Sequence, residues 1–271
     1  MRQGVLWIAA ATWLLVSCGC AQVQEIRDES FAPGGARALE IDVQNGDVTL
    51  GRSRSDSIEV VAELTTFGGK SVLEDTRLVF TPGAVASLEI DAPSGLIFGV
   101  TADLTISVPA GLAVAGVTVA NGSISSSGLV HDGALETVNG DISLSGCTGS
   151  ASIASVNGDI IVTSGSIILS EAGTTNGDIT VTITAPSGEG TSLSSTNGDI
   201  TAEVPSSASM AVEMDTVNGE IETTGLELTG DLDPDGGRAT MNGGGPLLEM
   251  STVNGDLTLS AGSAGGGPGG R

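Results

Sequence analysis

The chain has 271 residues, 39% of them hydrophobic, which is enough for a folded core and too apolar for a disordered one. Aromatics make up only 2%, with no Tyr, so the core must be thin and built from small aliphatic side chains. With 33 acidic against 9 basic residues and a net charge of −24, the chain lacks the clustered Lys and Arg that nucleic acid requires; its 41 Gly follow no Gly-X-Y period, which excludes collagen.

Residues 1–17 read as an export signal: Arg2, then an apolar run from Val5 to Val16, then Ser17. The run is too short to cross ~30 Å of hydrocarbon as a helix, so the mature chain is expected to lack a membrane span. Leu15-Val16-Ser17-Cys18 resembles the bacterial lipobox, which implies cleavage before Cys18 and a lipid on its thiol. Cleavage after Ala21, giving a periplasmic or secreted soluble protein, is the alternative. Gly19 is not the Asp that commonly retains lipoproteins at an inner membrane, which points to the outer one. Cys20 and Cys147 remain; a bridge between them is conceivable, but a spare thiol and a small buried hydrophobe fit their sparse spacing better.

Residues 18–37, with Pro33, Gly34 and Gly35, read as a lipidated Cys and flexible tether. Residues 38–117 contain alternating runs, such as Ser57 to Leu64 and Ser87 to Asp91, and are expected to form a less regular N-terminal β cap. Residues 118–261 carry a repeat, and residues 262–271 a flexible Gly-rich tail.

The repeat is an Asn-Gly pair followed by an acidic or small polar residue, at Asn45, Asn121, Asn139, Asn157, Asn176, Asn197, Asn218 and Asn254. From Asn121 to Asn218 the spacings are 18, 18, 19, 21 and 21, a period that indicates a solenoid or an array of hairpins. The interval of 36 from Asn218 to Asn254 leaves room for a degenerate copy at Asp235-Gly236, and the 76 residues from Asn45 to Asn121 for about four more. Alternating β-branched and polar residues flank each pair, the pattern of short strands meeting at a tight corner. Pro109 and Pro205 are expected to begin strands, since Pro cannot donate to a ladder. No stretch of the mature chain has helical periodicity with caps.

The fold class is therefore all-β. One architecture is a β-solenoid of about 18–21 residues per coil; the other is an antiparallel hairpin meander, since Asn-Gly is a strong hairpin signal. The solenoid accounts for repetition of the whole T-V-N-G-D-I hexad, because equivalent corners then stack about 4.8 Å apart and the Asn side chains form a ladder.

The run Leu39-Glu-Ile-Asp-Val-Gln-Asn-Gly-Asp-Val-Thr-Leu50, with the repeated T-V-N-G-D-I, resembles the bacterial adhesin-type family of β-strand-repeat envelope proteins marked by an NGDI repeat. The resemblance spans roughly residues 36–260 and implies a β-solenoid and a role outside the cytoplasm. It implies no catalytic residue and no ligand.

Little chemistry is on offer. His131 is the single His and Lys70 the single Lys; His131, in a loop-like GLVHDG stretch, is expected at the surface. There is no G-x-S-x-G elbow, no zinc spacing, no calcium-roll nonapeptide and no EF-hand loop. The column Asp141, Asp159, Asp178, Asp199 and Glu220, with Asp47 and Asp256 as outliers, has two readings. Each carboxylate accepts N–H bonds within its own turn, or the column also binds a divalent cation such as Ca²⁺ weakly. No other cofactor is implied. The expected function is that of a non-catalytic, lipid-anchored envelope protein, a surface scaffold or adhesin meeting an envelope protein or glycan through a repetitive β face. The alternatives are a carbohydrate-active β-solenoid enzyme and an accessory or sensory envelope lipoprotein.

Overall fold

The structure, a computed structural model, describes residues 13–16, 22–93, 99–184 and 187–262. Cys18, Cys20, the tail from 263 and all of the expected signal except 13–16 lie outside the described residues. The chain forms two compact units, 1–129 and 130–271.

In chain order the first unit contains β1 (Trp13–Val16), β2 (Val23–Phe31), β3 (Ala38–Asn45), β4 (Val48–Arg52), β5 (Ile58–Thr66), α1 (Lys70–Asp75), β6 (Arg77–Thr81), β7 (Val85–Asp91), β8 (Val100–Val108), β9 (Ala113–Asn121) and β10 (Ile124–Ser127). One ladder runs β1–β2–β5–β8 antiparallel, then β8–β4–β10 parallel. The other starts with the antiparallel pair β6–β7 and continues β7–β3–β9 parallel. The two strands flanking an Asn-Gly corner therefore lie in different ladders, which rules against the hairpin meander. Alternation explains the packing: in β5 the burial pattern is BeBeBeBiB, with Ile58, Val60, Ala62 and Leu64 inward.

Three expectations for this region need correction. The 76-residue interval holds no series of four coils; Asn45 stands directly opposite Asn121. The interval supplies antiparallel strands and one further rung, β7 with β8, on the other side of β3 and β4. The tether contains a nine-residue strand, β2, paired with β5 along its whole length; its alternation is masked because its sequence, VQEIRDESF, is largely polar. A helix also forms, α1, burying Val72 and Leu73. Its C-terminal end is closed by the Arg27 guanidinium, which donates to the Leu73 and Thr76 carbonyls and pairs with Glu25 at 2.7 Å. Phe31 and Phe80 stack with ring centroids 4.8 Å apart.

The second unit contains β11 (Val130–Asn139), β12 (Ile142–Asn157), β13 (Ile160–Asn176), β14 (Ile179–Thr182), β15 (Thr191–Asn197), β16 (Ile200–Pro205), β17 (Met210–Asn218), β18 (Ile221–Thr224), β19 (Leu228–Asp233), β20 (Gly236–Met241), β21 (Leu247–Asn254) and β22 (Leu257–Gly262). β12 and β13 each pass through a second corner, eased by positive φ at Gly146 (63°) and Gly165 (115°). Parallel pairing in register gives rungs whose inward residues, such as Ile142, Ile160, Ile179, Ile200 and Leu257, are wholly buried. The fold is a mostly parallel, all-β stack of repeating strands, as a β-solenoid requires.

The stacking order is not the chain order. The Asn254 rung lies between those of Asn197 and Asn218: β21 pairs with β15 on one side and β17 on the other, and β22 with β16 and β18. The expected degenerate copy at Asp235-Gly236 is absent. That segment is an antiparallel hairpin, β19–β20, laid against β17, its Asp233-Pro234-Asp235-Gly236 run supplying turn residues. Met210, Met214, Met241 and Met250 fill the core where parallel pairing gives way to antiparallel, a junction suited to an adaptable unbranched side chain. β19 is mostly exposed and carries Asp231 and Asp233, charges that discourage pairing with another chain. Pro109 and Pro205 follow or end strands rather than begin them; their carbonyls accept the turn bonds from Leu112 and Ala208.

Removing residues 247–262 therefore takes a rung from inside the stack, not from its end. The expected result is loss of the cooperative transition of the second unit in urea; simple fraying with an unchanged midpoint would contradict this order.

Candidate functional site

The corners form the most organised polar feature of the chain. In the second unit the file runs Asn139, Asn157, Asn176, Asn197, Asn254, Asn218. Each Asn Nδ2 donates to the Oδ1 of the Asn before it, at 2.8 to 2.9 Å. The next residue sets the spacing. A Cβ on Gly158, Gly177, Gly198, Gly255 or Gly219 would meet the carbonyl oxygen of the preceding corner Gly at 2.0, 2.2, 1.9, 2.1 or 1.8 Å. Only glycine allows the approach, and φ near 155° at Gly140, Gly158, Gly177, Gly198 and Gly255 adds a second reason.

The Asp column exists, but its bonds run between rungs and not within each turn. Oδ1 of Asp141 accepts the backbone N–H of Asp159, Asp159 that of Asp178, Asp178 that of Asp199 and Asp199 that of Asp256, each at 2.8 Å. Asp256, an outlier by number, is the fifth member, and its Oδ1 accepts the N–H of Glu220 at 2.9 Å. Glu220 stands on the last rung of the file, where no further N–H has to be reached. Among the described residues no group of three or more His, Cys, Asp or Glu side chains converges as a metal site.

A third file was not anticipated. Two residues before each Asn stands a Ser or Thr, and the hydroxyls of Ser155, Thr174, Ser195, Thr252 and Thr216 donate to the carbonyls of Gly140, Gly158, Gly177, Gly198 and Gly255 at 3.0 to 3.1 Å. The regular ladder leaves those carbonyls unpaired, because the Gly and Ile N–H groups go to Asn and Asp carbonyls instead. The hydroxyl completes the corner. It was legible as a recurring Thr or Ser at a fixed offset.

The first unit repeats this at lower fidelity. Asn121 Nδ2 donates to Asn45 Oδ1 at 2.9 Å, and Asp47 Oδ1 accepts the N–H of Ser123, which occupies the Asp place. The β7–β8 rung has no Asn-Gly, yet Asp103 accepts the N–H of Asp47 at 2.9 Å, and Gly46 lies where a Cβ would meet the Ala102 carbonyl at 2.1 Å. Asp103 is thus a column member that the motif could not reveal.

His131 is buried, 1% exposed, and not the surface residue expected. Burial alone lowers its pKa from 6.5 to about 4, which keeps it neutral and unsuited to proton transfer at neutral pH. Its strand neighbour in β12 is Gly149, where a Cβ would meet the His131 carbonyl at 2.1 Å. Cys147 is buried, its Sγ donating to the Ser145 carbonyl at 3.6 Å. Lys70 is exposed and pairs with Glu74 at 3.1 Å. Two shallow hollows in the second unit, one beside Asp132, Ser150 and Ser170 and one beside Ala211, Arg238 and Leu247, measure about 220 and 190 Å³. Both are smaller than ordinary small-molecule sites. No described helix is long and apolar enough to cross a membrane.

A family model described as Toastrack DUF4097 matches residues 81–260. Among solved structures, one described as a cell adhesion protein of Clostridium sporogenes is 10% identical, covering 88% of this chain and 100% of that one at a TM-score of 0.40. An adhesin-designated protein of Bacteroides fragilis is 13% identical, covering 87% and 96% at 0.45. A protein of Parabacteroides distasonis described as lipid-binding is 10% identical, covering 86% and 96% at 0.28. No curated protein matches the chain.

Two outcomes follow from the corner and from His131. Ser195→Ala strands the Gly177 carbonyl and is expected to cost about 1–3 kcal/mol in a urea titration, while Ser195→Thr, which keeps the hydroxyl, costs much less. Between pH 6.5 and about 4 the unfolded chain holds a proton on His131 that the folded chain does not, so stability falls as pH drops through that window. The contribution is on the order of 3 kcal/mol, and His131→Gln should flatten that part of the stability curve by a comparable amount.

Proposed function

Because this chain belongs to the Toastrack DUF4097 family, we propose that it is a non-catalytic envelope protein, exported by residues 1–17, anchored by a lipid on Cys18, and acting as a surface scaffold or adhesin. The observation that carries this reading is the use of the repeated polar groups. Asn amides, Asp carboxylates and Ser or Thr hydroxyls of the corners are bonded to the adjacent rung, so the repetition serves architecture and not turnover. The only His is buried and neutral.

The stack also presents a regular outer file. In the second unit the residue before each Asn of the file is β-branched, and in stacking order these are Val138, Val156, Thr175, Thr196, Val253 and Val217, every one of them exposed. Regularly repeated, similar contacts suit weak, multivalent attachment to a protein or glycan partner, where avidity replaces single-site affinity. The acidic surface keeps the chain soluble outside the cell and disfavours anionic partners. An outer-membrane location fits Gly19 after Cys18.

Two experiments test this. Palmitate label should enter the native chain and be lost in Cys18→Ala; equal labelling, or none in either, removes the anchor. Beads coated with the purified chain should adhere to envelope material, and Val156→Glu with Val253→Glu should weaken adhesion without moving the melting temperature. Reproducible product release from a polysaccharide would instead establish an enzyme.

A further inference from the structure

We propose that Asn218-Gly219 is a spontaneous modification site, at which the backbone closes on the side chain, ammonia leaves, and aspartate or isoaspartate results. The reaction needs only water. The Gly219 nitrogen, giving its proton to solvent base, bonds to Cγ of Asn218; the Cγ–Nδ2 bond breaks and ammonia departs, leaving a five-membered imide. Water then opens that ring, at the side-chain carbonyl to give Asp or at the main-chain carbonyl to give an isopeptide link. No electron changes hands.

Every corner of the stack carries the same dipeptide, so sequence alone does not distinguish them. Hydrogen bonding does. The N–H groups of Gly140, Gly158, Gly177, Gly198 and Gly255 donate to the carbonyls of Asn157, Asn176, Asn197, Asn254 and Asn218 at 2.9 to 3.1 Å. Each nucleophile is thereby directed away from its own side chain. The Oδ1 atoms of Asn139, Asn157, Asn176, Asn197 and Asn254 are held as well, each by the next Asn amide.

Asn218 is the last member of the file. Its Nδ2 still donates, to Asn254 Oδ1 at 2.9 Å and the Val253 carbonyl at 3.4 Å, but among the described residues its Oδ1 and the Gly219 N–H have no partner. Gly219 is exposed, whereas Gly140, Gly158, Gly177, Gly198 and Gly255 are half-buried. Another Asn-Gly pair of this unit, Asn242-Gly243, lies in a turn whose Asn amide is held by the Ser206 and Ala208 carbonyls at 2.9 and 2.7 Å. The leaving amide there is held by two short bonds, whereas the second bond of the Asn218 amide is long at 3.4 Å.

The first effect of the reaction is local: a new carboxylate two residues from Glu220, and, in the isopeptide form, an extra backbone carbon on the end rung alone. Rungs inside the stack keep their ladder.

The test compares folded and denatured full-length protein incubated at mildly alkaline pH. Peptide mapping by mass spectrometry locates the mass gain that replaces an amide by a carboxyl, and enzymatic methylation reports isoaspartate. Asn218 should react in the folded protein within a few-fold of its denatured rate. Asn157, Asn176, Asn197 and Asn254 should be slowed about ten-fold or more, because the bonded N–H of the following Gly must first open. Asn218→Gln should remove the fast component. Equal protection of Asn218 and the interior sites, faster reaction at Asn242, or a fast component that survives Asn218→Gln would overturn the proposal.

Discussion

The closeness of neighbouring corners governs this structure. A glycine Cβ would fall about 2 Å from the preceding rung's carbonyl, so the backbone turns with no side chain between layers. That contact sets three other groups at bonding distance: amide to amide, carboxylate to backbone N–H, hydroxyl to glycine carbonyl. The hydrophobic interior, built from Ile, Val and Leu, keeps the strands together but would tolerate many registers. The corner is what selects one. A shift by a residue would place a Cβ where only hydrogen fits and break three bonds on every rung.

The fold was legible to the extent that it is local. Alternation, Asn-Gly corners and a period near twenty require stacked β rungs, and the register between Asn157 and Asn176 follows from the motif. Order among the rungs was not legible, because the hexads around Asn218 and Asn254 are nearly identical and either could follow Asn197. The preference arises elsewhere: the β19–β20 hairpin needs the β17 edge free, and so β21 enters beside β15. In the first unit, the β7–β8 rung carries the Asp without the Asn-Gly, so a motif search passes over it.

The polar site was legible by position and misread by partner. Counting residues places Asp141, Asp159 and Asp178 on one file, but only coordinates show that each carboxylate reaches across to the next rung. His131 was misread because a Gly-flanked segment with Asp132 resembles a loop; its strand alternation, with Leu129 and Leu135 also inward, is interrupted by small residues. Such a site has the character of a joint. Its chemistry is directed along the stack, leaving the exposed file of Val and Thr as the surface offered to a partner.

The order of rungs in the second unit can be read by crosslinking. Thr201 faces Thr258, and Thr258 faces Glu222, so Thr258 stands between the other two. Cysteines on adjacent rungs fall within the ~4.4–6.8 Å Cα range of a disulfide, while a separation of two rungs exceeds it. The account predicts that Thr201→Cys with Thr258→Cys links on mild oxidation and that Thr201→Cys with Glu222→Cys does not. The reverse pattern would mean that the rungs stack in chain order, contradicting the corner ladder described above.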